Sequence, residues 1–185
     1  VSRTLTPGAP GIIYVQQPDR SSGIKVLDAP LVDEGDVLTI AGRVSTVAGE
    51  RQLTALEVLK TGSQDAPRPL YVRGTAIGGG PLGLQPGVAG SAGLNNVGLL
   101  VRTAGKLTEI GSDIFGTLYF RIDDGSGIRY GSAAVPGVKV IGFSPTATLG
   151  DTVAATGALG AELDGQAVVP VIRLRESEFG ELLAP

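Results

Sequence analysis

One stretch of this chain occurs twice. Gly23-Ile24-Lys25-Val26 is followed by Gly35-Asp36, Gly42 and Gly49, and Gly137-Val138-Lys139-Val140 by Gly150-Asp151, Gly157 and Gly165. The four counterparts stand 114, 115, 115 and 116 residues apart. A spacing held within two residues, with alternating apolar positions between the landmarks, predicts two copies of one small β module.

Glycine (29) and proline (12) together disfavour long helices across 185 residues, and no apolar helical period runs over three turns. Abundant Val, Ile and Thr complete an all-β composition. Each module has roughly 80 residues, near the lower range for a self-sufficient core, so docking of one on the other would help both. The chain has no His and no Cys, which removes the commonest general base and metal ligand and all thiol chemistry. A net charge of −3 argues against a dedicated nucleic-acid surface. No apolar run is long enough to span a membrane. With no Met present, Val1 is expected to be a processed end, a fragment or a boundary.

In the first module, strands are expected at 1–6, 12–17, 24–27, 36–47 and 52–59, with Pro/Gly turns between them. Gly42 interrupts the long fourth strand, and a mid-strand Gly marks a bulge or sharp bend. The second module repeats the pattern at 99–110, 117–122, 138–141, 151–159 and 167–175. A long kinked fourth strand can pair with two neighbours and help to close a small barrel. This pattern resembles the OB-fold, a five-stranded Greek-key barrel. The resemblance implies two tandem five-stranded OB-like β-barrels. The 28–35 segment is too short for the helix that many OB-folds carry before strand four.

The expected division is a first barrel at 1–60, a Gly-rich connection at 61–97 with an extra strand near Leu70-Tyr71-Val72-Arg73, a second barrel at 98–175 and a tail at 176–185. The run Asn95-Asn96-Val97-Gly98-Leu99-Leu100-Val101-Arg102, with Gly105-Lys106 and Asp123-Asp124-Gly125-Ser126-Gly127, is similar to tandem OB-like modules of secreted bacterial surface proteins. That similarity implies a secreted or cell-surface location. It brings no catalytic residues, cofactor or established ligand.

The Asp123–Gly127 run could offer oxygens to Ca²⁺, but it lacks the full ligand spacing and reads as a turn. Asp33 and Glu34 are adjacent, so on an extended strand their carboxylates point apart rather than pair for hydrolysis. No Ser, Thr or Lys has a recognisable base partner, so no enzyme is expected. Tyr14 and Tyr119 fall on strand two of each module, a face that presents aromatic rings to ligands in OB-folds. They are the candidate ligand-facing residues; a tyrosine half-buried at a barrel end is the plainer reading. Arg20, Lys25, Arg43, Arg129, Arg173 and Arg175 lie among acidic residues and read as solvated strand faces.

Two functions remain. One is a non-enzymatic extracellular structural module that assembles with copies of itself into a surface layer or filament. The other is an accessory module that binds polysaccharide or single-stranded nucleic acid. Aligning Tyr14 with Tyr119 sets Val1 opposite Lys106, so the first module lacks an equivalent of residues 98–105 and exposes an open edge. Strand addition from another copy is one way to cover it, with the tail 176–185 or residues upstream of Val1 as donor. The candidate contact residues are Val1, Leu5, Phe179, Leu182 and Leu183.

Overall fold

The computed structural model describes residues 2–3, 11–142 and 147–174. The chain is all-β and forms two sheets. The first contains β1 (Ser2–Arg3), β2 (Ile13–Gln16), β3 (Gly23–Leu27), β4 (Asp36–Val47) and β5 (Glu50–Ser63), in the order β1-β2-β3-β5-β4. The second contains β6 (Leu70–Tyr71), β7 (Leu100–Ser112), β8 (Leu118–Asp123), β9 (Val138–Ile141), β10 (Thr152–Asp164) and β11 (Ala167–Leu174), in the order β10-β11-β9-β8-β7-β6. In addition β10 pairs with β7, so five strands of the second sheet pair in a circuit. The first sheet has no such circuit among the described residues, which departs from the expected pair of closed barrels.

The repeated landmarks have local causes. In Asp33-Glu34-Gly35-Asp36 the Asp36 amide donates to the Asp33 carbonyl at 3.1 Å, with Gly35 at φ 89°. In Thr148-Leu149-Gly150-Asp151 the Asp151 amide donates to the Thr148 carbonyl at 3.1 Å, with Gly150 at φ 94°. A positive φ at the third residue of a four-residue turn favours glycine. Each aspartate then returns a bond to the first residue of its turn: the Asp33 amide reaches Asp36 Oδ2 at 3.1 Å and the Thr148 amide reaches Asp151 Oδ2 at 2.9 Å.

Gly42 and Gly157 share a different cause. Neither has a positive φ, but a Cβ on Gly42 would overlap the Thr54 carbonyl, and one on Gly157 the Arg173 carbonyl. Gly42 adjoins a register shift in the β4–β5 pairing, as expected. Gly157 sits in unbroken register instead, bonded to Leu174 on one side and Val101 on the other. It is the point where the strand passes from one neighbour to the next.

Strand pairing corrects the alignment of strand two. Tyr14 lies opposite Lys25, and Arg121 lies opposite Lys139. Since Lys25 and Lys139 are counterparts in the repeat, Arg121 and not Tyr119 matches Tyr14. Ser2 opposes Tyr14 as Glu109 opposes Arg121, so β1 matches the far end of β7.

Two cores follow. The second sheet encloses Val101, Leu107, Phe120, Val140, Leu159 and Ile172. The expected connection is not a mere linker, because Ile77, Val88 and Val97 are buried in that same core. Among the described residues the first core holds Ile13, Val26, Ala29 and Val32, with Leu38, Ile40 and Leu53 partly buried against it. No helix among the described residues is long and apolar enough to cross a membrane.

Candidate functional site

The two sheets meet through close backbone contact and buried charge. A Cβ on Gly23 would overlap the Gly98 carbonyl, and one on Gly98 the Gly23 carbonyl, so these chain segments cross with no room for a side chain. The Leu100 amide donates to Gln16 Oε1 at 2.9 Å across the junction. Tyr14 is fully buried there, and its hydroxyl donates to Glu50 Oε1 at 2.6 Å. Glu50 Oε2 takes Lys25 Nζ at 2.8 Å and lies 3.6 Å from Arg173 Nη2 of the second unit. Burial pushes the Tyr14 hydroxyl well above its ordinary pKa, opposed by Arg173 and reinforced by Glu50. Burial alone would lower the Arg173 pKa, but Tyr14, Glu50 and Glu162 hold it above its usual value.

Tyr14 therefore corrects its reading as ligand-facing: its ring is enclosed and its hydroxyl is committed to Glu50. Tyr119 is half-buried, donates to Glu109 Oε1 at 3.0 Å, and has Lys139 Nζ 5.4 Å and the Arg121 guanidinium 6.0 Å from its ring centre. The two tyrosines are thus apart in environment as well as in register. Asp123 Oδ1 accepts the Gly127 amide at 3.0 Å, and Asp124 accepts the Gly74 and Ser126 amides at 2.8 and 3.2 Å. These carboxylates organise turns. Among the described residues no group of three or more acidic side chains is placed to hold a metal ion. Val1, Leu5, Phe179, Leu182 and Leu183 lie outside the described residues.

The sheet-one edge stands out against this background. On β10, residues Thr152–Ala158 pair with Lys106–Leu100 of β7, and residues Gly157–Asp164 pair with β11 on the other side. On β4, the corresponding residues Val37–Arg43 have β5 on one side and no described strand on the other. β1 supplies the counterpart of Glu109–Ile110 only, so no described strand takes the place of Leu100–Leu107. Val153 and Ala155 are buried, whereas their counterparts Leu38 and Ile40 are half-exposed. Larger apolar side chains stand where less cover is provided.

A cleft of about 510 Å³ opens at one end of this edge. Val15 and Gln16 of β2 and Val37 and Leu38 of β4 line it, with Pro67 and Arg68 beyond. In the second unit Leu107 pairs with Ile122, the counterpart of Val15, and Lys106 pairs with both Asp123 and Thr152, the counterparts of Gln16 and Val37. The cleft is therefore where Lys106 and the 1 %-exposed Leu107 sit in the second unit. The lining is part apolar, with Val15, Val37 and Leu38, and part polar, with Gln16, Arg20, Asp36 and Asp65. Sequence reasoning expected an open edge from the length mismatch between the copies. It missed the cleft, because the register that places it appears only in the strand pairing.

No protein-family model, curated protein or solved structure matches this chain.

Proposed function

We propose that the chain is a non-enzymatic structural module that assembles head to tail with copies of itself, the uncovered β4 edge of one copy taking a strand from the next. One observation carries this reading: among the described residues β4 has a strand on one side where β10 has strands on both. An unpaired edge beside half-exposed Leu38 and Ile40 favours strand addition, because the added backbone bonds and the covered apolar surface act together. A cleft lined on both walls suits one inserted strand better than a second sheet laid edge to edge. The pairing order of each unit, with strand four returning beside strand one in the second, supports an OB-type barrel there and an incomplete copy of it in the first. The donor in this reading is the tail 176–185. The acceptor and donor are different surfaces, so repetition does not close and makes a filament. In this reading the assembly lies outside the cell.

Electron microscopy and sedimentation of the full chain and of a chain ending at Arg175 test this. Filaments from the full chain that vanish with the tail support it; a full chain that stays monomeric at high concentration sinks it.

A second reading follows from Tyr119 with Lys139 and Arg121 near its ring. An aromatic face flanked by cations suits stacking on a sugar or a single-stranded base, as in an accessory polysaccharide or nucleic-acid module. Salt-sensitive retardation of oligonucleotides, lost in Tyr119→Ala, would favour it over assembly.

A further inference from the structure

The cleft specifies more than an unoccupied edge. Leu107 fills the corresponding place in the second unit, and Gly105 stands two residues before it. A Cβ on Gly105 would overlap the Asp123 carbonyl, so the strand can cross there only as glycine. The counterpart of Asp123 is Gln16, which lines the cleft. A strand entering the first unit in the same register meets the same two demands: glycine over the Gln16 carbonyl, and an apolar side chain two residues later between Val15 and Leu38.

We infer that the cleft takes a Gly-x-Leu segment, and that Gly180-Glu181-Leu182 of a second copy is that segment, with Gly180 in the place of Gly105 and Leu182 in the place of Leu107. The inference rests on the assembly reading above. Other Gly-x-Leu triplets begin at Gly80, Gly98, Gly116 and Gly157. The first contains Pro81, which cannot supply a strand amide. The Gly98 triplet is held against Gly23, and the Gly157 triplet is bonded between β7 and β11. Gly116 lies in the turn before β8, at φ 81°. The tail carries Glu176, Glu178 and Glu181 and meets a cleft of mixed charge, with Arg20 and Arg68 beside Asp36 and Asp65. The acids also limit the insertion. In this register Glu178 would take the place of the buried Thr103, opposite Ile40, where a carboxylate is costly. The inserted segment therefore fills the cleft at Val37–Leu38 and leaves the rest of the edge uncovered.

The test uses synthetic peptides spanning 174–185, added in excess to the full chain held dilute. The unaltered peptide is expected to raise the melting midpoint by roughly 5 °C at saturation. Peptides carrying Gly180→Val or Leu182→Asp should give no rise, and one carrying Phe179→Ser should match the unaltered peptide. A second measurement uses the absence of cysteine: in a chain carrying Val15→Cys and Leu182→Cys, oxidation should yield a ladder of covalently joined copies. Equal stabilisation by all peptides, or no ladder, overturns the register. If filaments form while the unaltered peptide does nothing, the tail is not the donor but assembly stands. If no filaments form, the assembly reading fails, whatever the peptides do.

Discussion

β4 and β10 follow the same sequence landmarks in two settings. Both follow a Gly-Asp turn, both carry a glycine at the sixth or seventh position, and both lead into a glycine-containing hairpin. Their inward residues differ: Leu38 and Ile40 on β4 against Val153 and Ala155 on β10. β10 gains its cover from the first half of β7, and its small side chains suffice because that half-strand brings Val101, Thr103 and Leu107. β4 has no described counterpart of that half-strand. The first unit contacts the second at Tyr14, Gly23 and Glu50, and Gln16 reaches both this junction and the cleft. The two copies keep the Gly-Asp turn before strand four, yet the connection between strands two and three is longer in the second and the cover beside strand four differs.

The sharpest way to break this comparison is to hollow each core at the same point. Phe120 and Ile13 are counterparts, paired with Val140 and Val26 respectively. Phe120→Ala should cost about 3–5 kcal/mol in urea unfolding, because its surroundings are closed. Ile13→Ala should cost about 2 kcal/mol, the low end for such truncations, since a core beside an open cleft can relax. Equal costs would mean that the first core is as well sealed as the second.

Next in size is the junction. Glu50 is nearly inaccessible, and it answers Lys25, Arg173 and the Tyr14 hydroxyl at once. Arg173 Nη1 is buried without a hydrogen-bond partner among the described residues, so the cluster already has one unsatisfied group. Glu50→Ala leaves Lys25 and Arg173 with, among the described residues, only the more distant Glu162 as acid beside Arg173, and should cost about 3 kcal/mol. Calorimetry should then resolve two transitions, the first unit melting before the second. A single transition at the native midpoint would show that the units do not depend on this contact.

The glycine pair separates the two units more finely. Gly157→Val must displace the Arg173 carbonyl in a buried strand held on both sides, at about 2–3 kcal/mol. Gly42→Val meets the Thr54 carbonyl, but Gly42 is exposed and one side of β4 is uncovered, so the strand can shift for about 1 kcal/mol. Thermal melts of both variants decide it, and a larger loss at Gly42 would reverse the ordering of rigidity assigned here.

Much of this architecture was legible in the residues. The Gly-Asp turns, the β4 span and the bend at Gly42 follow from local chemistry that four or five residues determine. Strand-two equivalence did not follow, because Tyr14 and Tyr119 are alike in type and the pattern Ile-Tyr-Val against Tyr-Phe-Arg-Ile fits either of two registers. Only the opposing lysines, Lys25 and Lys139, distinguish them, and their partners are fixed by tertiary pairing. The same limit hid Glu50. Its position at a hairpin end reads as solvent-facing until the second unit brings Arg173 against it. The burial of Ile77 and Val88 was hidden likewise, since Gly-rich irregular chain carries no period from which an inward face can be read.

The smallest expected effect compares the two Gly-Asp turns directly. Lys60 Nζ, 2.6 Å from Asp36 Oδ1, holds the Asp36 carboxyl below the usual range, helped by the Asp33 amide. Asp151 is held low by the Thr148 amide and then by the Thr148 hydroxyl, at 2.9 and 2.8 Å. Both folded pKa values are depressed, so both groups contribute stability that is present above the unfolded value of about 3.9 and is lost as pH falls through the folded value. The means differ: one is an ion pair with a half-exposed lysine, the other a pair of short-range hydrogen bonds. Salt at about 1 M shortens the screening length to roughly 3 Å and weakens the first far more than the second. Carboxyl-carbon NMR titration at low and high salt should therefore show the Asp36 pKa moving upward while Asp151 stays in place. Lys60→Met should reproduce the salt shift at Asp36 without added salt. If both aspartates move together, the two turns are electrostatically equivalent and the contrast between the units lies in their cores alone.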